Sequence, residues 1–168
     1  MTKKVFRAFL SLFFVLLLFS ACAPVRETRF APRRDGTYRF AFDTQGQTLT
    51  GELTIFAPND LRFTILAPDG SVYCDCLCTD EGVRTPVGGT TDLLPYTDLP
   101  DDAPMKVLPL TLMKAIFTPL DFTKADGGYF CETTAANTPV QVTFSPDGSL
   151  QTVTAGELTA EFTPVSKE

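Results

Sequence analysis

Histidine is missing from the whole chain of 168 residues. That absence removes Ser-His-Asp and Cys-His nucleophilic catalysis, the usual general base near neutral pH, and the commonest transition-metal ligand. No glycine-rich loop follows a strand pattern and opens a helix, so nucleotide binding has no support. Basic residues are scarce, 14 against 20 acidic ones. Without the first 21 residues, which hold Lys3, Lys4 and Arg7 and no acid, the balance is 11 against 20, a net charge of −9. Nucleic acid is bound by neutralising its phosphates, and anionic lipid is held by basic patches; this acidity argues against both. The acids themselves cluster once, with Asp98, Asp101 and Asp102 in "DLPDDAP". Calcium needs about six to eight oxygens in a defined loop, and the EF-hand spacing is absent, so the cluster reads as a solvated loop. No pair of carboxylates stands out for acid–base work. An enzyme, a cofactor and a metal centre are therefore not expected.

Of long apolar runs there is one. "FLSLFFVLLLF" lies behind Lys3, Lys4 and Arg7 and ahead of the small residues Ser20 and Ala21. A basic start, an apolar core and small residues before a cut site describe an export signal over residues 1–21. A permanent membrane helix needs about 20 apolar residues and flanking anchors, and this run is shorter. Its end, "LFSAC", resembles the lipobox of bacterial lipoproteins. That resemblance implies that Cys22 becomes the N-terminal residue, with diacylglycerol on its sulfur and usually a third acyl chain on its amine. Several acyl chains hold a protein on a membrane stably. The competing cut, after Ala23 in the A-x-A sequence "ACA", would leave Pro24 next to the scissile bond. The expected location is extracytoplasmic, lipid-anchored on the cell membrane or outer membrane.

The remaining 147 residues from Cys22 suffice for one domain with a hydrophobic core. Residues 22–35, with two prolines, four arginines and no apolar period, read as a lipidated tether. A single β-rich domain is expected over 36–165. In "TYRFAFDT" the aromatics Tyr38, Phe40 and Phe42 alternate with Arg39, Ala41 and Asp43; Leu49, Gly51, Leu53 and Ile55 share a face in the next segment, and Leu61, Phe63 and Ile65 in the one after. Such alternation marks antiparallel strands that are wet on one side. In "APDG", Pro68 presets the turn, Asp69 caps it and Gly70 takes the positive φ. Residues 83–104 hold four prolines, a Gly-Gly pair and four aspartates, and are expected to be mostly irregular. Residues 105–117, "MKVLPLTLMKAIF", form the expected helix, with Pro109 near its start and Pro119 beyond its end. This helix is apolar on nearly every side and must be covered. Four more strand patterns follow: "GGYFCETT", "PVQVTFSP", "SLQTVTAG" and "ELTAEFTP". The expected fold is mainly β (α+β), a curled antiparallel sheet of about eight strands wrapped around one apolar helix, half-barrel-like. "SPDGSL" echoes "APDGSV", and "GELT" occurs twice. Their order is reversed, so shared hairpin chemistry explains the echo without duplication.

The stretch "TGELTIFAPNDLRFTILAPDGSVYCDCL" is similar to the strand series of the lipoprotein carrier and receptor (Lol-type) proteins of the bacterial outer-membrane sorting pathway. The resemblance implies a half-barrel sheet closed by helices. It carries no site residue over to this chain.

Cys74, Cys76 and Cys78 lie at alternate positions in "SVYCDCLC", so on a strand they point to one face, opposite Tyr73, Asp75 and Leu77. Asp75 marks its own face as wet, which puts the thiols on the core side, where cysteine behaves as a small hydrophobe. Residues two apart on a strand are about 7 Å from each other, too far for a relaxed disulfide, so no bond is expected among the three. Cys131 in "GGYFCETT" is the candidate partner for one of Cys74, Cys76 or Cys78, if its strand lies beside theirs. A zinc site usually takes C-x2-C on a turn, unlike this spacing. Core packing, one disulfide through Cys131, and metal or redox chemistry remain the three readings.

For function, the lipobox, the curled-sheet pattern and the apolar helix point to a membrane-anchored lipoprotein whose domain binds an apolar ligand or a protein segment. The alternative is a structural or assembly subunit of an envelope complex that works through its surface.

Overall fold

The alternating segments become strands of a single antiparallel sheet in the computed structural model, which describes residues 30–166 except positions 45, 46, 57, 88 and 89. The strands are β1 (Gly36–Thr44), β2 (Gln47–Phe56), β3 (Asp60–Leu66), β4 (Val72–Cys78), β5 (Gly82–Val87), β6 (Thr90–Pro95), β7 (Thr123–Ala125), β8 (Gly128–Ala135), β9 (Thr138–Phe144), β10 (Leu150–Ala155) and β11 (Leu158–Pro164). The helix α1 (Pro104–Phe117) joins β6 to β7. The expected export signal and Cys22 lie outside the described residues. Within them, no helix is long and apolar enough to cross a membrane.

The sheet order is β6-β5-β4-β3-β2-β1-β11-β10-β9-β8-β7. Two meanders, β1–β6 and β7–β11, are thus joined where the first and last strands pair, with Phe40 opposite Phe162. The sheet is open, and α1 runs from one of its edges to the other. Inward-facing residues of both meanders and one face of the helix make one core, including Tyr38, Phe40, Leu53, Phe63, Val142, Phe144, Leu108, Leu112 and Ile116. Gly51 belongs to this face for a spatial reason. A Cβ there would run into the Thr64 carbonyl oxygen and approach Phe40 Cζ to 2.7 Å, so the glycine makes room for the aromatic ring opposite.

Eleven strands are present among the described residues, against about eight expected, and two of the three additions fall where prolines and glycines had suggested irregular chain. β5 and β6 pair from Gly82 opposite Pro95 to Val87 opposite Thr90, on either side of the Gly-Gly dipeptide. Two-residue connections of that composition suit hairpins. Pro86, which pairs with Thr91 of β6, has no partner on β4, because β5 meets β4 only through Val83 and Arg84, so no ladder bond is required of it on that side. Pro95 closes an edge strand. The third addition, β7, has three residues and is the other edge.

The helix differs from expectation at its start. It begins at Pro104, an N1 position suited to proline, and holds Pro109 inside it. Both proline-led turns behave as read from the sequence. Gly70 and Gly148 have φ of +82° and +85°, and their amides donate to the carbonyls of Ala67 and Ser145 at 2.8 and 2.9 Å. Asp69 accepts from the Ser71 amide at 2.9 Å, and Asp147 from the Ser149 amide at 3.3 Å. The second turn has a further task. Arg33 donates its amide to the Gly148 carbonyl at 2.9 Å and pairs with Asp147 at 2.8 Å. Phe30 stacks on Tyr129 at 4.1 Å and meets Phe122 edge-on at 4.9 Å. The described end of the expected tether is therefore seated on the sheet.

Candidate functional site

A helix apolar all round has two fates, burial on every side or one face left beside open space. Here α1 shows both. Leu108, Leu112, Ala115 and Ile116 are at most 1% exposed and fill the space against the sheet. Thr111 is fully buried among them, and its hydroxyl has no hydrogen-bond partner. Leu110, Met113 and Phe117 are only half-buried, and they form one wall of a cleft of about 420 Å³. Ala135 and Ala136, at the β8–β9 turn, continue its apolar lining. Asn59, Asp80 and Lys114 supply polar atoms around it. Lys114 is held by donating to the Thr134 carbonyl at 3.2 Å, and its charge suits the helix C-terminal end.

The start of α1 is fixed by an ammonium. Lys106 is buried, and its Nζ donates to the Leu99 carbonyl at 2.9 Å and to Asp101 Oδ1 at 2.6 Å. This bond holds the Asp101 carboxyl below the usual carboxylate range. Asp98 and Asp102 are exposed. Among the described residues no group of three His, Cys, Asp or Glu side chains is placed to share a metal ion.

The cysteines of β4 face inward, across from Leu61, Phe63 and Ile65 of β3. Cys76 and Cys78 are buried and Cys74 is half-buried. On the opposite face Asp75 accepts from Arg62 Nε at 2.8 Å, within a two-pronged ion pair that holds its carboxyl low. Burial pushes the Cys78 thiol up to about 12, partly offset by the Tyr96 hydroxyl beside it. Desolvation raises Cys131 to about 11. Cys76 is raised first by burial and then by its neighbour Cys74. Among the described residues, all four cysteines are free thiols. Cys131 lies on β8, with six strands between it and β4 in the sheet order, so it is not on a strand adjacent to the other three. One distance departs from the spacing argument: the sulfurs of Cys74 and Cys76 are 3.0 Å apart. A bulge lies immediately before this pair. Ile65 pairs with Cys74 but Leu66 pairs with Val72, so Tyr73 is an extra residue that bends the strand beside Cys74.

Leu110, Met113 and Phe117 belong to the apolar helix expected from the sequence, but nothing in the sequence singled them out as an open wall. A helix with apolar residues on more sides than the sheet can cover leaves some of them uncovered, and Leu110, Met113 and Phe117 are those. No protein-family model matches the chain, and no curated protein is significantly similar to it.

Proposed function

We propose that this protein is an extracytoplasmic lipoprotein, anchored through Cys22, whose half-barrel-like domain binds an apolar ligand or protein segment in the cleft beside α1. The observation that carries the reading is the half-buried apolar wall of Leu110, Met113 and Phe117 on an otherwise packed helix. Pockets lined by apolar side chains with a few polar groups at the rim are the usual form of a small-ligand site. The anchor rests on the lipobox-like "LFSAC". Because Phe30 packs on the sheet, eight residues span from Cys22 to the domain. At about 3.5 Å per residue their reach is roughly 28 Å, which keeps the domain close to the bilayer surface. Native mass spectrometry of protein taken from membranes tests the binding. Co-bound lipid or peptide is expected, and Met113→Glu should abolish it; wild-type protein free of any ligand would overturn the reading. Metabolic labelling with a fatty acid tests the anchor, with loss of label expected in Cys22→Ala.

The alternative, an assembly subunit acting through its surface, has its own observation. Tyr73 is 77% exposed on the outer face of β4, where Leu77, Arg84 and Leu93 stand side by side across β4, β5 and β6. Exposed apolar residues grouped in this way suit a protein contact. Co-purification of a stable partner that is lost in Tyr73→Asp would favour it.

A further inference from the structure

We propose that Cys74 and Cys76 form a thiol–disulfide exchange site, at which a disulfide-bearing reactant oxidises the pair to an intrachain disulfide. Four observations meet at these two residues. Their sulfurs are 3.0 Å apart, closer than two non-bonded sulfurs placed by strand spacing alone. The bulge at Tyr73 bends the backbone at Cys74. Only Leu77 and Cys78 of β4 pair with β5, so the stretch from Val72 to Cys76 has β3 on one side and no strand on the other. Finally, Cys74 itself is only half-buried, at the unpaired end of β4, while Cys76 is buried.

The geometry assigns the roles. Cys74 gives its proton to water and its thiolate attacks one sulfur of the reactant disulfide, that S–S bond breaks, and the leaving thiolate takes up a proton. Cys74 now carries a mixed disulfide. Cys76 gives its proton to water and attacks the Cys74 sulfur, expelling the second thiolate, which is protonated in turn. Two protein thiols are oxidised and one reactant disulfide is reduced to two thiols. The locally unpaired edge of β4 is what permits closure, since it can bend without breaking ladder bonds to β5. Residues two apart on a strand have Cα atoms about 6.6 Å apart, near the upper end of the range that a disulfide tolerates, so the closed form is strained and easily reduced. Cys78 stays outside the exchange, fully buried against Tyr96.

The test uses the purified full chain, incubated with glutathione disulfide, alkylated, digested and mapped by mass spectrometry. Wild-type protein should lose two hydrogen masses within the Cys74–Cys76 segment, with Cys78 and Cys131 still alkylated, and reduced glutathione should reverse the loss. Cys76→Ser should accumulate a glutathione adduct on Cys74, and Cys74→Ser should give neither adduct nor link. Phenylarsine oxide, which bridges paired thiols, should protect both Cys74 and Cys76 in the unmutated protein. A link to Cys78 or Cys131 instead, or full alkylation of both thiols after oxidation and after the arsenical, would overturn the proposal.

Discussion

At single residues, Gly51 and Ala136 bear on stability in opposite ways. Gly51 lies opposite Phe40, and a methyl group at that position meets both the ring and the Thr64 backbone. Gly51→Ala should therefore destabilise the fold by about 1–3 kcal/mol, the usual cost of overpacking, read as a lowered urea midpoint at unchanged slope. Ala136 is the opposite case. With Asn137 it makes the β8–β9 turn at positive φ, +49° and +64°. A hairpin of this form prefers glycine or asparagine, because a Cβ in the left-handed region costs about 1–2 kcal/mol. Ala136→Gly should raise stability by about 1 kcal/mol, since the strain relieved exceeds the entropy that glycine adds to the unfolded chain. No change in midpoint would mean that the turn is not strained. The inward position of Gly51 was legible from alternation. Its necessity was not, because the clash is with residues on two other strands.

At the scale of elements, the paired turns "APDG" and "SPDG" separate local chemistry from tertiary use. Both place a glycine at positive φ, and both have an aspartate binding back to the following serine. Around Gly70 there is open space, whereas a Cβ on Gly148 would come within 2.9 Å of the Ala31 carbonyl. Gly70→Ala should thus cost only the backbone penalty, about 1 kcal/mol. Gly148→Ala should cost more and release the chain from Phe30 to Arg33, measurable as faster amide exchange at Arg33. Equal costs for the two would show that the segment's seat on the turn contributes nothing. The strand patterns on either side of these turns were readable because alternation is a local property. β5 and β6 were not, because their prolines are acceptable only where a neighbouring strand asks for no hydrogen bond.

For the whole molecule, burial and pairing set a window of stability with pH. Asp69, Asp75, Asp101 and Asp147 are all held below the ordinary carboxylate range by hydrogen bonds, led by Ser71, Arg62, Lys106 and Ser145 respectively. Their folded-state values lie below the unfolded ones, so this stability is present above about pH 4 and is lost as pH falls through the folded values. The thiols act in the other direction. Cys131 and Cys78 are raised to about 11 and about 12, and Cys76 is raised as well. Above about pH 8.5 the unfolded chain ionises its thiols while the folded one cannot, so stability falls as pH rises toward the folded values. Urea midpoints should be flat between about pH 5 and pH 8 and should decline on both sides. Cys131→Ala should flatten the alkaline limb by one proton's worth of slope; an unchanged limb would remove that thiol from the account. The sheet's alternation, the inward face of its thiols, the proline-led turns and the apolar helix can be read along the chain, since each depends on residues near one another in it. The joining of the two meanders by β1 and β11, the two further strands in the middle of the chain, the cleft along one flank of α1 and the contact of Cys74 with Cys76 emerge only in the folded molecule. Each of these depends on which strands become neighbours, and distant parts of the chain settle that together.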